Sequence, residues 1–218
     1  MNLKLLQLVS PSLPVGAYSY SQGLEAAIEA GFVHDAASAR EWIAGVLELS
    51  LGSFEAPVLQ RLAEAWGRDD AGAARHWNGT FVASRESAEL RAETLQMGYS
   101  LRRLLNDLGL DTAPLDSCDE LAYPCAFAFA VARWNVDASE AMAGYLFAWI
   151  ENQVLAAVKT VPLGQTEGQR MLLALAERIP GIVAIARGLD DESLSNGAPG
   201  LALVSSRHET QYSRLFRS

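Results

Sequence analysis

The feature of this chain that most restricts its fold is the spacing of its apolar residues, which recur every three or four positions. This spacing places apolar side chains on one face of an α-helix, whereas a half-buried β-strand needs alternation of period two. No convincing alternation of that kind occurs, and β-branched residues are sparse. Between residues 84 and 108 the pattern comprises Leu90, Thr94, Met97, Leu101, Leu104, Leu105 and Leu108. We therefore predict an all-α fold, a helical bundle.

Size and charge narrow the class of protein further. A chain of 218 residues, 50% of them apolar, can bury a full core, so we expect a single folded domain and not a disordered chain. The formal net charge is −9. That charge argues against nucleic acid or an anionic membrane as the main partner, because both repel an acidic surface.

The cysteine content and the apolar runs indicate a cellular location. Cys118 and Cys125 are the two cysteines, too few for a disulfide framework, and a reducing cytoplasm suits them. The apolar run at residues 5–9 is too short for a secretory signal. The longest strictly apolar run, residues 125–132, is far shorter than the ~20 residues that span a bilayer. We expect a soluble cytoplasmic protein.

The N-terminal entry to the bundle is predicted to be irregular. Pro11, Pro14 and Gly16 disfavour a regular helix at this end of the chain. Ser19, followed three residues later by Gln22, resembles a capping box, so we expect a helix to open there.

Further signals divide the rest of the chain. Ser38 with Glu41 resembles a second capping box, and Gly52 should end that helix or bend it into the next. Residues 118–133 are nearly all apolar and are predicted to form the buried central helix of the bundle. A linker at residues 193–200 precedes a polar tail. We therefore divide the chain into an all-α domain, residues 1–204, and a flexible tail, residues 205–218.

Sequence motifs of common catalytic sites are missing. The chain contains no GxxxxGK[ST] phosphate-binding loop, and no GxGxxG follows a strand. Ser19 and Ser21 lie in a segment without the GxSxG of a nucleophile elbow, which favours a helix-entry turn over a catalytic serine. We predict no catalytic residue on this chain.

The potential metal ligands are poorly spaced. His34, His76 and His208 are scattered along the sequence. Cys118 and Cys125 are seven positions apart, whereas a helical metal pair usually uses a spacing of three or four. Free cysteine is among the most buried residue types, so we favour two core thiols and predict no metal ligand.

Clusters of carboxylates could hold a divalent cation or do acid–base chemistry. None of them has a recognised metal-binding spacing, and we interpret them as solvated helix ends or faces. They are Asp69 and Asp70; Glu86, Glu89 and Glu93; and Asp190, Asp191 and Glu192.

The C-terminal tail, residues 205–218, differs from the rest of the chain in charge. It holds three arginines and one glutamate, a net charge of +2, so residues 1–204 carry −9 − 2 = −11. It also contains Tyr212, Leu215 and Phe216, which a short tail cannot bury by itself. Arginine and aromatic residues are enriched in interface anchors. We predict docking to a partner ahead of the alternative, folding back on the chain's own acidic domain.

Three segments together resemble the family of the urease accessory protein UreF. They are residues 10–25, SPSLPVGAYSYSQGLE; residues 152–169, NQVLAAVKTVPLGQTEGQ; and residues 207–218, RHETQYSRLFRS. Glu93, Gln96, Met97 and Gly98 match a fourth, weaker block. Tyr18 stands where the family more often has phenylalanine. The blocks run in order from residue 10 to residue 218, so the resemblance covers essentially the whole chain.

The resemblance implies an all-α protein without catalytic activity that works as a dimer in the maturation of nickel urease. Its implied partners are UreD (also called UreH), the GTPase UreG and apo-urease, and GTP hydrolysis is coupled to nickel delivery. No cofactor is expected to be bound tightly, and nickel is a transient cargo of the complex. The family's tail helps to hold UreD, in agreement with the independent interpretation of the tail above.

The resemblance also suggests two sets of partner-binding residues. The set expected to face UreD is Arg207, Tyr212, Arg214, Leu215, Phe216 and Arg217. The set expected to face UreG or a nickel channel is Pro14, Gly16, Tyr18, Tyr20, Glu25, Lys159 and Gln165. Packing is an equally good explanation for the second set, because tyrosines fill cores and Lys159 complements a helix dipole.

Our sequence-based interpretation is therefore a nickel-insertion co-chaperone, acting as a scaffold and gate or as a GTPase regulator. One alternative is a stand-alone nickel-binding chaperone, whose ligands would include His208 or Cys118. A less favoured alternative is an all-α metal-dependent enzyme that uses Asp190, Asp191 and Glu192.

Overall fold

The helices follow the apolar repeats. A computed structural model describes residues 2–218, and within that range all the regular structure is helical, with no β-strand. The all-α prediction is confirmed. The α-helices are Leu3–Leu8 (α1), Leu24–Glu29 (α2), Ala36–Val46 (α3), Ala56–Gly67 (α4), Ala71–Ala83 (α5), Ala88–Asp107 (α6), Tyr123–Arg133 (α7), Ala138–Thr160 (α8), Gln165–Ala176 (α9), Ile179–Ala186 (α10) and Pro199–His208 (α11). The 3₁₀ turns are Ala17–Ser19, Ala113–Ser117 and Asp191–Ser193, and Leu47–Glu55 is π-helical.

α7 lies at the centre of the bundle, as predicted, and packs mainly against α4 and α6. The Trp66 ring on α4 meets the Phe129 ring on α7 edge to face, with 5.4 Å between ring centroids. The helix begins at Tyr123 and not at Cys118, because Pro124 fixes the first helical turn and the chain before it is a loop. The predicted helix over residues 118–133 was therefore five residues too long at its start.

The prediction of a capping box at Ser19 is wrong, and the box predicted at Ser38 begins three residues earlier, at Asp35. Ser19 closes a 3₁₀ turn, and α2 begins only at Leu24, after Gln22 and Gly23 adopt positive φ angles of 50° and 79°. The Gln22 side chain is hydrogen-bonded elsewhere in the fold and is not available as a cap. At α3 the capping residue is Asp35, and Ser38 is its partner in the box.

The helix predicted to end at Gly52, or to bend there into the next helix, does not end at this residue. α3, the π-helical segment and α4 form one run, Ala36–Gly67, which has the length and mean hydropathy, 1.3, of a helix able to cross a membrane. In the folded protein, however, 72% of the most apolar stretch of this run is buried. The helical run packs against α7, α5 and α10, and core helices of this kind are apolar for the same reason as membrane helices.

The π-helical segment anchors the linker that the sequence places at residues 193–200. In an α-helix the amide of residue 57 would donate a hydrogen bond to the Ser53 carbonyl. Pro57 has no backbone N–H, so that carbonyl lacks this partner. That carbonyl instead accepts a hydrogen bond from the Ser195 amide at 3.1 Å. Nearby, the Leu49 carbonyl accepts one from the Gly197 amide at 2.9 Å. The linker is therefore fixed to the long helix by the backbone groups that the helix leaves open.

The tail is not the flexible extension that the sequence suggests. α11, Pro199–His208, runs across the expected boundary between residues 204 and 205. Beyond it, Phe216 and Ser218 are buried against the domain. The physical reason is a set of carboxylates, on Glu25, Glu89 and Glu93, that accept hydrogen bonds from the tail.

Gly98 on α6 allows the loop before α7 to cross the helix at close range. A Cβ atom at this position would lie 2.1 Å from the Leu121 carbonyl oxygen, a contact with backbone that a side-chain movement cannot relieve. Gly79 on α5 is also helical, but a Cβ there would meet nothing within 4 Å.

We predict that Gly98→Ala lowers the free energy of unfolding by about 2 kcal/mol or more, because overpacking against backbone outweighs the better helix propensity of alanine. Gly79→Ala is the matched control and should leave stability unchanged or raise it by up to about 1 kcal/mol. Urea denaturation followed by circular dichroism measures both. Equal stability of the two variants would contradict the close crossing.

Candidate functional site

The N-terminal motif, residues 10–25, and the tail, residues 205–218, lie against each other. The Ser21 amide donates to the Ser218 carbonyl at 2.8 Å, and the Ser21 hydroxyl donates to the same oxygen at 2.5 Å. The Arg217 amide donates to the Ser19 carbonyl at 2.9 Å. Two segments nearly two hundred residues apart are thus joined through their backbones.

Glu25, in the first turn of α2, holds the tail by its main chain. Its Oε1 accepts a hydrogen bond from the Leu215 amide at 2.7 Å, and its Oε2 accepts one from the Phe216 amide at 2.9 Å. The same Oε2 lies 3.2 Å from Nε2 of His208. Hydrogen bonds to an ionised carboxylate are among the stronger ones in proteins, so one side chain fixes three tail residues.

Glu89, in the first turn of α6, holds the tail by its side chains. Its Oε2 lies 2.6 Å from Nδ1 of His208, and its Oε1 accepts a hydrogen bond from the Arg214 guanidinium at 2.5 Å. The His208 ring is fully buried, with one carboxylate at each nitrogen.

Glu93, one turn further along α6, is almost completely buried, with 4% of its surface exposed. It accepts hydrogen bonds from the Ser218 hydroxyl at 2.7 Å and from the Gln22 amide nitrogen at 2.5 Å. Gln22 in turn accepts a hydrogen bond from the Trp149 indole. Burial raises the pKa of Glu93 from 4.5 to about 7, although the two hydrogen bonds oppose the shift. We call Glu25, Glu89 and Glu93, with the tail groups they bind, the acidic clasp.

A cavity of about 80 Å³ lies beside the acidic clasp, with Gln22, Glu93 and Trp149 in its wall. Across it, Glu55 and Arg85 form a buried ion pair with 2.7 Å between Oε1 and the guanidinium nitrogen. The Tyr145 hydroxyl donates to the other Glu55 oxygen at 2.9 Å, and burial raises the pKa of Tyr145 well above its usual value. We call this space the polar cavity.

The structure divides the six tail residues predicted to face UreD. Arg207, Tyr212 and Leu215 are exposed, and Tyr212 is completely so. Phe216 is buried against the domain, and Arg214 is bound to Glu89. The sixth residue, Arg217, is exposed.

The second predicted set is not a separate surface. Tyr20 and Glu25 contact the tail, and the Lys159 ammonium lies 5.7 Å from the centre of the Phe216 ring. The remaining members lie in the loop before α2 or at the start of α9: Pro14, Tyr18 and Gln165 are exposed and Gly16, with a φ of 82°, is half-buried. The structure therefore brings part of each set to one place.

The acidic clasp includes residues that the sequence analysis assigned to solvent. Glu93 was predicted to lie on a solvated face and is buried, and Glu89 is largely buried. A signal was present, because Glu93 is three residues after Leu90 and four before Met97, on the apolar face of α6. Asp70 and Asp190 were interpreted correctly, since both are exposed and cap helical turns. Gln22, Glu55 and Arg85 were not identified as site residues, and His208 was named only as a possible nickel ligand.

Metal ligands are not grouped anywhere in residues 2–218: no three His, Cys, Asp or Glu side chains are placed to hold an ion. His208 comes nearest to such a group, but its two ring nitrogens already face Glu25 and Glu89. The acidic clasp binds protein groups and does not present an open coordination site.

These features define an all-α protein built around a clasped tail with exposed tyrosine, leucine and arginine side chains. Comparison with known proteins gives the family. The UreF family model matches residues 33–176. The urease accessory protein UreF of Azoarcus sp. (strain BH72) is 55% identical, over 99% of this chain and 95% of that protein. The chain belongs to the UreF family.

Two further relatives agree with this assignment. The urease accessory protein UreF of Janthinobacterium sp. (strain Marseille) is 54% identical, over 99% of this chain and 97% of that protein. The bifunctional urease accessory protein UreEF of Bordetella bronchiseptica is 50% identical, over 98% of this chain and 51% of that protein. These relatives are named accessory proteins and not enzymes, in agreement with the prediction from the sequence.

We predict that Glu25→Ala releases the tail. Without the carboxylate, the amides of Leu215 and Phe216 lose their acceptor, and their hydrogen exchange should become at least tenfold faster. Glu29→Ala removes the same charge from an exposed position on the same helix and is the control. Exchange measured by mass spectrometry on C-terminal peptides tests the difference. Unchanged exchange in Glu25→Ala would mean that other contacts hold the tail.

We predict that Glu93 makes stability fall as pH rises. Its pKa is about 7 in the folded protein and 4.5 in the unfolded chain, so between these values the folded state binds the extra proton. The contribution of Glu93 to the free energy of unfolding is fully present below pH 4.5 and is lost as the pH rises through 7. Between pH 5.5 and 7, above the pI of 4.8, the free energy of unfolding of Glu93→Gln should exceed that of the wild type by an amount that rises from about 1.4 to about 3 kcal/mol.

Urea denaturation across this pH range measures the gain. Glu29→Gln, on an exposed side chain, controls for the loss of one negative charge. A difference between Glu93→Gln and the wild type that does not vary with pH would show that Glu93 is ionised in the folded protein throughout.

Proposed function

We propose that this protein acts in urease maturation as a nickel-insertion co-chaperone. Together with UreD and the GTPase UreG it would deliver nickel to apo-urease, and its own contribution is that of a scaffold and gate. Membership of the UreF family supports this function, since the relatives are named urease accessory proteins. The relative in Bordetella bronchiseptica carries the UreE and UreF names on one chain, which supports close work with other accessory proteins.

The observation that carries the proposal is the form in which the fold presents the tail. The acidic clasp fixes the tail backbone and buries Phe216 and Ser218, while Tyr212 and Leu215 remain 105% and 64% exposed. Exposed aromatic and apolar side chains on a fixed backbone lose little conformational freedom when a partner covers them. We assign Tyr212, Leu215 and Arg207 to the UreD interface.

A gate for nickel is supported by the chemistry of the polar cavity. Its carboxylates, Glu55 and Glu93, already accept hydrogen bonds, and Glu55 is paired with Arg85, so a divalent cation would not be held tightly there. Such oxygen groups suit a transient cargo better than a storage site rich in thiolates and imidazoles. On this proposal Pro14, Gly16, Tyr18 and Gln165 remain candidates for the side facing UreG.

The alternatives have less support. A stand-alone nickel chaperone that uses His208 would have to break the contacts of that ring with Glu25 and Glu89. Regulation of the GTPase by an arginine of this chain needs a particular arginine beside a phosphate, and no observation selects one. The cluster at Asp190, Asp191 and Glu192 forms an exposed 3₁₀ turn in which Asp190 caps the backbone. A homodimer and a cytoplasmic location remain part of the proposal.

We predict that the double variant Tyr212→Ala, Leu215→Ser binds UreD at least tenfold more weakly than the wild type, because interface anchors lose more than about 1.4 kcal/mol on truncation. Both side chains are exposed, so the fold should survive. Leu173→Ser, on α9 and 66% exposed, is the matched control and should bind normally. Light-scattering mass during gel filtration, with UreD from the same urease operon co-expressed, measures the complex.

The same measurement reports the mass of the free protein and so tests the homodimer of 23.5 kDa chains. Full binding by the double variant would remove the tail from the UreD interface. A wild-type protein that does not bind UreD at all would contradict the proposed function itself.

A further inference from the structure

Two thiols face each other in the interior, outside both the acidic clasp and the lining of the polar cavity. Cys118 directly follows the 3₁₀ turn Ala113–Ser117, and Cys125 lies in the first turn of α7. Their Sγ atoms are 4.0 Å apart. Both are free thiols, with 6% of Cys118 and none of Cys125 exposed.

The surroundings of the two sulfur atoms differ. The hydrogen bond with Cys125 lowers the pKa of Cys118 to about 7 against the opposing effect of burial; Ser117 and the charge of Arg75 also lower it, and Asp119 raises it. Burial raises the pKa of Cys125 well above its usual value. Cys118 is therefore the thiol that ionises near neutral pH, and Cys125 keeps its proton.

A third polar group points to chemistry at this pair. The indole N–H of Trp66 is buried beside the Cys125 thiol, where it acts to lower the pKa of that thiol against the larger effect of burial. An indole donor at this position can stabilise negative charge as it develops on sulfur.

The backbone around the thiols is fixed, which keeps them in reach of each other. The Ala122 amide donates to the side-chain oxygen of Asn78 at 2.9 Å, and the Tyr123 amide donates to the Thr94 hydroxyl at 3.1 Å. A disulfide needs an S–S distance of about 2.05 Å, so the sulfur atoms must approach by about 2 Å. Rotation about χ1 moves a cysteine sulfur by such a distance without displacing the backbone.

We propose that Cys118 and Cys125 are a reversible redox pair that closes to an intramolecular disulfide when the protein meets a peroxide. This is a modification site separate from the surface proposed to bind UreD.

The reaction with hydrogen peroxide proceeds in two balanced steps. The Cys118 thiolate attacks one peroxide oxygen; an S–O bond forms, the O–O bond breaks, and the departing hydroxide takes up a proton as water. The Cys125 sulfur then attacks the Cys118 sulfenic acid; an S–S bond forms, the S–O bond breaks, and the second water carries away the Cys125 proton. Two thiols are oxidised by two electrons, and one peroxide is reduced to two waters.

The disulfide would tie the 3₁₀ turn Ala113–Ser117 to α7 at the point where the loop crosses Gly98. Reduction by a dithiol such as dithiothreitol would restore both thiols by exchange. The pair is therefore suited to report or survive an oxidising interval without irreversible loss of either thiol, because a resolving cysteine lies beside the reactive one.

The test treats the full-length protein with hydrogen peroxide and then denatures it in the presence of iodoacetamide, which alkylates any free thiol. The product is analysed by intact mass and peptide mapping. We expect a loss of about 2 Da without uptake of alkyl groups, a cross-linked peptide that contains both cysteines, and recovery of both thiols with dithiothreitol. In Cys125→Ser the Cys118 sulfenic acid should persist and react with dimedone, whereas Cys118→Ser should remain unmodified.

Three results would overturn the proposal: two alkylated thiols after peroxide treatment, stable oxygen addition to one cysteine in the wild type, or disulfides only between molecules. If either serine variant does not fold, the peptide map of the wild-type protein decides the question by itself. None of these outcomes bears on UreD binding, so this inference and the proposed function fail independently.

Discussion

The carboxylate of Glu25 is the interaction on which the arrangement of this protein most depends. It lies in the first turn of the short helix α2 and accepts hydrogen bonds from two backbone amides of the C-terminal tail. The His208 ring lies beside it. The position of the tail therefore follows from one side chain and the helix that presents it.

The acidic clasp also brings the positively charged tail against carboxylates of the negatively charged domain. Residues 1–204 carry an excess of negative charge and the tail an excess of positive charge. Burying a carboxylate is unfavourable unless hydrogen bonds or an opposite charge compensate it. Glu89 receives Arg214 and His208, whereas Glu93 receives only neutral donors, the hydroxyl of Ser218 and the amide of Gln22. This difference explains why burial raises the pKa of Glu93.

Helical periodicity was enough to predict the all-α fold and the burial of α7, because both depend on apolar spacing within a single segment. The family could also be predicted, since its motifs are local. The acidic clasp could not, because its partners are far apart: Glu93 and Ser218 are separated by 125 positions. The charge and the aromatic content of the tail indicated two possibilities, docking to a partner or folding back on the acidic domain. In the structure the tail backbone folds back and several of its side chains remain exposed.

The two predicted partner surfaces therefore cannot be treated as independent. Ser218, at the end of the tail, donates to Glu93, and Glu93 lines the polar cavity together with Gln22 and Trp149. A partner that pulls the tail outward would remove a hydrogen bond from the buried Glu93 carboxylate and further favour its protonated form. A partner that leaves the tail in place would preserve the bond. Any movement of the tail therefore changes the proton affinity of a carboxyl group in the wall of the polar cavity.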